Sequence, residues 1–198
     1  MKDPALYKAL RNPLAALFHF LYRPTIIGKQ HIPQKGRVVL AGNHTHYFDC
    51  ALIGCGTKRC VQYLAKDELL QGPLKYIFKP MGIIPVNRRT KDKTALHTAI
   101  KTLEADKVIG IFPEGTINRT DNVIMPFKYG AVKMAYEADA EIVPFIITGK
   151  YKLFKKGIRI QFMEPLKPTE DLKETNRKLM DIVSEGLIRE GAKSAQHK

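Results

Sequence analysis

The chain has 198 residues, enough for one domain with a sizeable core, and 44% of them are hydrophobic, which excludes a disordered chain. Its 33 Lys and Arg against 19 Asp and Glu leave a net charge of +14. A surplus this large exceeds what solubility asks for and attracts phosphate-rich partners: nucleic acid, anionic lipid or phosphorylated substrates.

At the N-terminus, Asp3-Pro4 and Asn12-Pro13 each read as a helix cap followed by proline at the first helical position. They predict two short helices, over about 4–11 and 13–22. The second is apolar on nearly every side, and Lys2, Lys8, Arg11 and Arg23 flank the pair, so both core packing and interfacial anchoring fit it. No A-x-A site follows, against a signal peptide, and no run reaches the ~18 apolar residues of a membrane span.

Further on, apolar runs predict strands at 25–28, 37–41, 60–65, 82–86, 108–112, 141–148 and 158–163. Most are continuously apolar, as expected of strands buried on both faces. Between them, 92–104 places Leu96, Ala99, Ile100 and Leu103 on one helical face. A short helix is predicted at 130–138 and a last one from near Thr169, with a frayed tail at 191–198. The fold class expected is α/β: a mostly parallel, mixed central sheet of about seven strands with helices on both faces, preceded by the N-terminal amphipathic helical pair. Cys50, Cys55 and Cys60 give an odd count without C-x-x-C spacing and read as reduced, packed thiols of a cytosolic protein.

Four strand ends carry unusual residues. After Val38-Val39-Leu40-Ala41 come His44 and Asp49, five positions apart. A histidine there can take a proton near neutral pH, and a carboxylate can hold its ring and stabilise the imidazolium. Lys66 closes the strand Tyr63-Leu64-Ala65, and Arg88, with Arg89 next, closes Gly82-Ile83-Ile84-Pro85-Val86. The strand ending at Phe112 runs into Pro113-Glu114-Gly115-Thr116, which offers a carboxylate, a glycine and a hydroxyl. Singly, Lys66, Arg88-Arg89 and Pro113-Glu114-Gly115-Thr116 are better explained by a solvated strand end, a surface pair or a turn. Together the four strand ends place a base, phosphate-binding cations and a glycine-bearing loop where open α/β sheets hold ligands.

These blocks resemble those of the glycerolipid acyltransferases, most closely the bacterial 1-acylglycerol-3-phosphate (lysophosphatidic acid) acyltransferases. The H-x-x-x-x-D block of that family matches His44 and Asp49, and its G-x-I-P-V-x-R block matches Gly82, Ile84, Pro85, Val86 and Arg88. Its F-P-E-G-T block matches Phe112 to Thr116, its V-P block matches Val143-Pro144, and its lysine matches Lys66. Where the family has arginine after E-G-T, this chain has Ile117, and Arg119 two positions on is the candidate substitute.

The resemblance implies acyl transfer from acyl-CoA or acyl-carrier protein to the sn-2 hydroxyl of lysophosphatidic acid, giving phosphatidic acid, with no cofactor and no metal. His44 would be the base and Asp49 its orienting partner. Lys66, Arg88 and Arg119 would meet the substrate phosphate, with Glu114, Gly115 and Thr116 shaping that pocket. An anionic membrane surface is the further partner expected, and no nucleic acid. The enzyme is expected in the cytoplasm, peripherally attached to the inner face of the cell membrane. Residues 1–24 would form the docking element, 25–190 one acyltransferase domain, and the basic-aromatic stretch 150–156 a second membrane contact. Two rivals predict otherwise: a metal hydrolase built on His44, His46 and Asp49, and a non-catalytic module binding membrane or nucleic acid.

Overall fold

The structure, a computed structural model, describes residues 5–66, 76, 83–86 and 93–191. In chain order its elements are α1 (Ala5–Tyr22), β1 (Thr25–Ile27), a 3-10 turn (Lys29–His31), β2 (Val38–Gly42), α2 (Asp49–Gly56), β3 (Val61–Lys66) and β4 (Ile84–Val86). Then follow α3 (Lys93–Glu104), β5 (Val108–Ile111), α4 (Gly130–Glu137), β6 (Glu141–Gly149), β7 (Ile158–Phe162) and α5 (Leu172–Arg189). Gly82 and Arg88-Arg89 lie outside the described residues.

The strands form one seven-stranded sheet in the order β1-β7-β6-β2-β5-β3-β4. β6, β2, β5, β3 and β4 run parallel to one another, β1 runs parallel to β7, and the β6–β7 pair is antiparallel. The mixed α/β sheet of the sequence reading is therefore the fold observed. Pro144 sits inside central β6, where a missing N–H would cost a ladder bond. Its carbonyl accepts from Met163 N at 2.8 Å, one residue past the end of β7, so the absent donor falls where that ladder stops.

Helices cover both faces, because successive strand residues point to opposite sides. Val39 and Ala41 of β2 join a core with Leu103 of α3, Met134 of α4 and Val183 of α5. Val38 and Leu40 join a second core with Phe18 of α1 and Leu52 and Ile53 of α2.

The N-terminus corrects one expectation: α1 is a single helix with Pro13 inside it, not a pair. Proline withdraws one N–H and crowds the preceding turn. Here Tyr7, Arg11, Ala15, Phe18 and Tyr22 form one inward stripe spanning the proline. Tyr7 hydroxyl accepts from Val61 N at 3.3 Å, the Arg11 guanidinium donates to the Thr57 carbonyl, and Phe18 is buried. Contacts on both sides of Pro13 keep the two halves in line. Leu10, Leu14, Leu17 and Phe20 of α1 are exposed. No helix among the described residues is long and apolar enough to cross a membrane.

Candidate active site

Five parallel strands bring their C-terminal ends to one edge of the molecule, and the expected residues follow those ends. The turn after β2 is fixed first. A Cβ on Gly42 would lie 2.1 Å from the Phe145 carbonyl oxygen, so only glycine lets β2 leave the sheet this close to β6. Buried Asn43 then bonds both backbone groups of Ile147, donating to its oxygen at 2.9 Å and accepting from its nitrogen at 2.7 Å.

His44 follows, and Asp49 opens α2. The His44 Nδ1 to Asp49 Oδ2 distance is 2.9 Å, and Asp49 is fully buried. The same oxygen accepts from the backbone nitrogens of Thr45 and His46 at 2.7 and 2.8 Å. Oδ1 accepts from the Tyr151 hydroxyl at 2.6 Å and the Thr45 hydroxyl at 3.2 Å. Burial alone raises this carboxyl, but the bonds from His44, Tyr151, His46 and Thr45 outweigh it and hold Asp49 below its ordinary range. An ionised carboxylate only accepts, so His44 Nδ1 carries the hydrogen and Nε2 presents its lone pair. No partner for Nε2 is found among the described residues.

The loop after β5 clamps His44 from the other side. Phe112 stacks on the imidazole with ring centres 3.8 Å apart and planes 12° apart. Glu114 is buried: its Oε1 accepts from His44 N and its Oε2 from Met125 N, each at 2.9 Å. Asn118 N donates to the His44 carbonyl at 2.9 Å. Both backbone groups of the histidine are thus tied to this one loop. Burial raises the Glu114 carboxyl, only partly offset by the Met125 and His44 amides. Glu114 therefore shapes the site from behind and does not line it. Replacing Glu114 with glutamine turns an NH₂ group toward one of those amides. That substitution is expected to cost about 1–3 kcal/mol in urea unfolding and to lower kcat more than it raises KM.

Gly115, at φ +76°, lies under the Lys128 side chain, whose Nζ would stand 2.6 Å from an added Cβ. Thr116, Ile117 and Arg119 line one pocket of about 810 Å³ together with His44 and Lys66. That pocket extends along Leu10, Leu14 and Phe18 of α1, Ala51 and Gly54 of α2, and Val61, Tyr63 and Leu64 of β3. It is mainly apolar, with Arg11, Lys66 and Arg119 as its cations. The structure thus gathers His44, Asp49, Lys66, Thr116 and Arg119, keeps Glu114 and Gly115 in the supporting loop, and leaves Arg88 outside the described residues.

The metal-hydrolase reading of His44, His46 and Asp49 meets specific geometry. His46 bonds Asp49 through its backbone, its nitrogen donating to Oδ2 and its carbonyl accepting from Asp49 N at 3.0 Å, and its Nδ1 accepts from Phe48 N at 3.2 Å, a turn-forming role. Among the described residues, no three His, Cys, Asp or Glu side chains converge as metal ligands. The Cys50 thiol is pushed up to about 12 by burial and then by the Asp49 charge, which leaves it protonated and a poor nucleophile. Sequence reasoning missed Tyr151 as a partner of Asp49. Its flanking lysines marked it as a surface residue, and no local spacing links it to the 44–49 turn.

Comparison with known proteins gives the family and the fold. Residues 23–148 match the family described as Acyltransferase. The chain is 28% identical over 188 residues to the 1-acyl-sn-glycerol-3-phosphate acyltransferase of Bacillus subtilis, covering 92% of this chain and 93% of that protein. It is 37% identical over 137 residues to the protein of the same name from Borreliella burgdorferi, covering 67% of this chain and 54% of that one. The fold matches the crystal structure of the 1-acyl-sn-glycerophosphate (LPA) acyltransferase from Thermotoga maritima with a TM-score of 0.77 at 20% identity, covering 99% of this chain and 86% of that chain.

Proposed function

The chain belongs to the acyltransferase family, and we propose that it transfers an acyl chain from a thioester to the sn-2 hydroxyl of 1-acylglycerol-3-phosphate, giving phosphatidic acid. The observation that carries this reading is the pairing of a buried, ionised Asp49 with His44 on a largely apolar pocket that also holds Lys66 and Arg119. A lipid with a phosphate head and an alkyl tail needs that combination of cations beside a base and apolar length behind it.

His44 Nε2 takes the proton of the glycerol hydroxyl, and the oxygen attacks the thioester carbonyl. The C–S bond of the resulting tetrahedral species breaks, and the imidazolium returns its proton to the departing thiolate. Asp49 stabilises the imidazolium between these steps. Both thioester donors, acyl-CoA and acyl-carrier protein, suit this chemistry. Lys66, Arg119 and Arg88 hold the phosphate, Arg119 standing in for the arginine that Ile117 replaces. Arginine suits that task through its two parallel N–H donors. Holding both substrates in register contributes to the rate alongside proton transfer.

The enzyme works in the cytoplasm, peripherally on the inner face of the cell membrane. Exposed Leu10, Leu14, Leu17 and Phe20 of α1, with Leu153 and Phe154 among the lysines of the 150–156 stretch, support docking to an anionic surface. In this reading residues 1–24 are the docking element and 25–190 the catalytic domain.

Headgroup recognition supplies the test. The wild-type enzyme is expected to prefer lysophosphatidate strongly over 1-monoacylglycerol, which lacks the phosphate. Arg119→Ala is expected to raise KM for lysophosphatidate roughly tenfold or more, since a hydrogen bond to a charged group is worth about 1.5–3 kcal/mol, and to change kcat less. Equal use of the two acceptors by the wild type would refute the phosphate-binding assignment.

A further inference from the structure

Tyr151 reaches Asp49 from 102 residues away, off the hairpin that joins β6 to β7. The base of that hairpin is closed by Lys150 N donating to the Gly157 carbonyl at 3.0 Å. The tyrosine ring packs against two groups of aromatics. One is Phe18 and Tyr22 of α1, with ring centres at 6.2 and 5.6 Å. The other is His46 and Phe48 of the catalytic turn, at 4.9 and 5.8 Å. Three residues on, Phe154 N donates to the Leu21 carbonyl, and its exposed ring packs edge-on against exposed Phe20 at 5.7 Å. One short segment therefore touches both the apolar outer side of α1 and the buried carboxylate.

We propose that Tyr151 is a positioning residue of this acyltransferase, its hydroxyl locking the carboxylate that orients His44 and its ring tying that relay to helix α1. The proposal rests on the reading of His44 as the base. Rotation of a carboxylate about its last bond is soft, so the donors at both oxygens set its plane. Oδ2 is held by His44, Thr45 and His46, whereas the short contact at Oδ1 is the Tyr151 hydroxyl. A hydroxyl donating to an ionised oxygen makes a strong, directional bond. It also draws charge away from Oδ2, which moderates the pull of Asp49 on the imidazolium proton. The other ionisable groups at the relay are His46 and Cys50 from the turn and α2, Glu114 behind the His44 amide, and Lys66 and Arg119 across the pocket.

The test is Tyr151→Phe, which keeps the ring and its packing. Removing the hydroxyl is expected to lower kcat roughly tenfold or more with KM values little changed. Asp49 then concentrates its charge on His44, so the acid limb of the kcat/KM profile is expected to move to higher pH. In an Asp49→Asn background the same substitution is expected to add little, because the hydroxyl acts through the carboxylate. A wild-type kcat, a loss with the acid limb unmoved, or the same fold-loss in the Asp49→Asn background would each overturn the proposal. A wild-type enzyme that forms no phosphatidate overturns the parent reading instead. In that case the Tyr151–Asp49 coupling is read from urea unfolding of the wild type, Tyr151→Phe, Asp49→Ala and the double variant, and strictly additive losses there would deny the contact itself.

Discussion

Replacing His44 with alanine is expected to lower kcat/KM for lysophosphatidate by roughly 10²–10⁴-fold, the range a positioned general base supplies. The protein should stay folded. Both backbone groups of residue 44 remain tied to Glu114 and Asn118, and what is lost is the imidazole stack on Phe112 and one bond to Asp49. Circular dichroism should therefore match the wild type while turnover collapses. Some rate over the uncatalysed reaction survives, because the pocket still aligns hydroxyl and thioester. His46→Ala serves as the control: it removes a ring that the mechanism does not use, so a comparable loss there would place the base at the wrong histidine.

The second large effect is expected at Asp49. Asparagine can keep the local geometry, with its oxygen facing His44 and the Thr45 and His46 amides and its NH₂ facing the Tyr151 and Thr45 hydroxyls, which can turn to accept. What it cannot supply is charge. The imidazolium loses its counterion, and kcat is expected to fall by roughly 10²-fold or more, within the range of about 10²–10⁴ that the base supplies, because Asp49 acts through His44. Stability against pH gives a second readout. Asp49 titrates below its ordinary range in the fold, so its contribution is full above the unfolded value of about 3.9 and is lost as pH falls through the lowered folded value. The stability gap between wild type and Asp49→Asn in urea should thus be constant near neutrality and shrink on strong acidification.

Much of the fold could be read from the chain because a sheet covered on both faces leaves continuous apolar runs. β2 and β6, with nearly every residue buried, are such runs. The boundaries differ by a residue or two where strands end in glycine or lysine. Helix α2 was not anticipated. Asp-Cys-Ala-Leu-Ile-Gly-Cys-Gly is short, holds two weak helix formers and has no polar face, since it packs beneath α1. The single α1 was masked by Pro13, whose local cost is overridden by contacts on either side of it.

The site divides the same way. The His44–Asp49 pair was legible because a turn after a strand and the first residue of a helix are close both in sequence and in space. Glu114 was legible as part of a block but not as a clamp, because its partners are backbone groups at residues 44 and 125. Tyr151 lay beyond local reading altogether: its link to Asp49 is made by the β2–β6 pairing and the hairpin after β6. Long-range hydrogen bonds of this kind have no spacing signature.

Phosphatidate formation by the purified wild-type enzyme and by His44→Ala, measured side by side in detergent, tests the central claim most directly. Lysophosphatidate should be offered with acyl-CoA and, separately, with acyl-carrier protein. The wild type should form phosphatidate with at least one donor, and the variant should be slower by roughly 10²-fold or more with that donor. Absence of phosphatidate with both donors, or a His44→Ala enzyme as fast as the wild type, would contradict it.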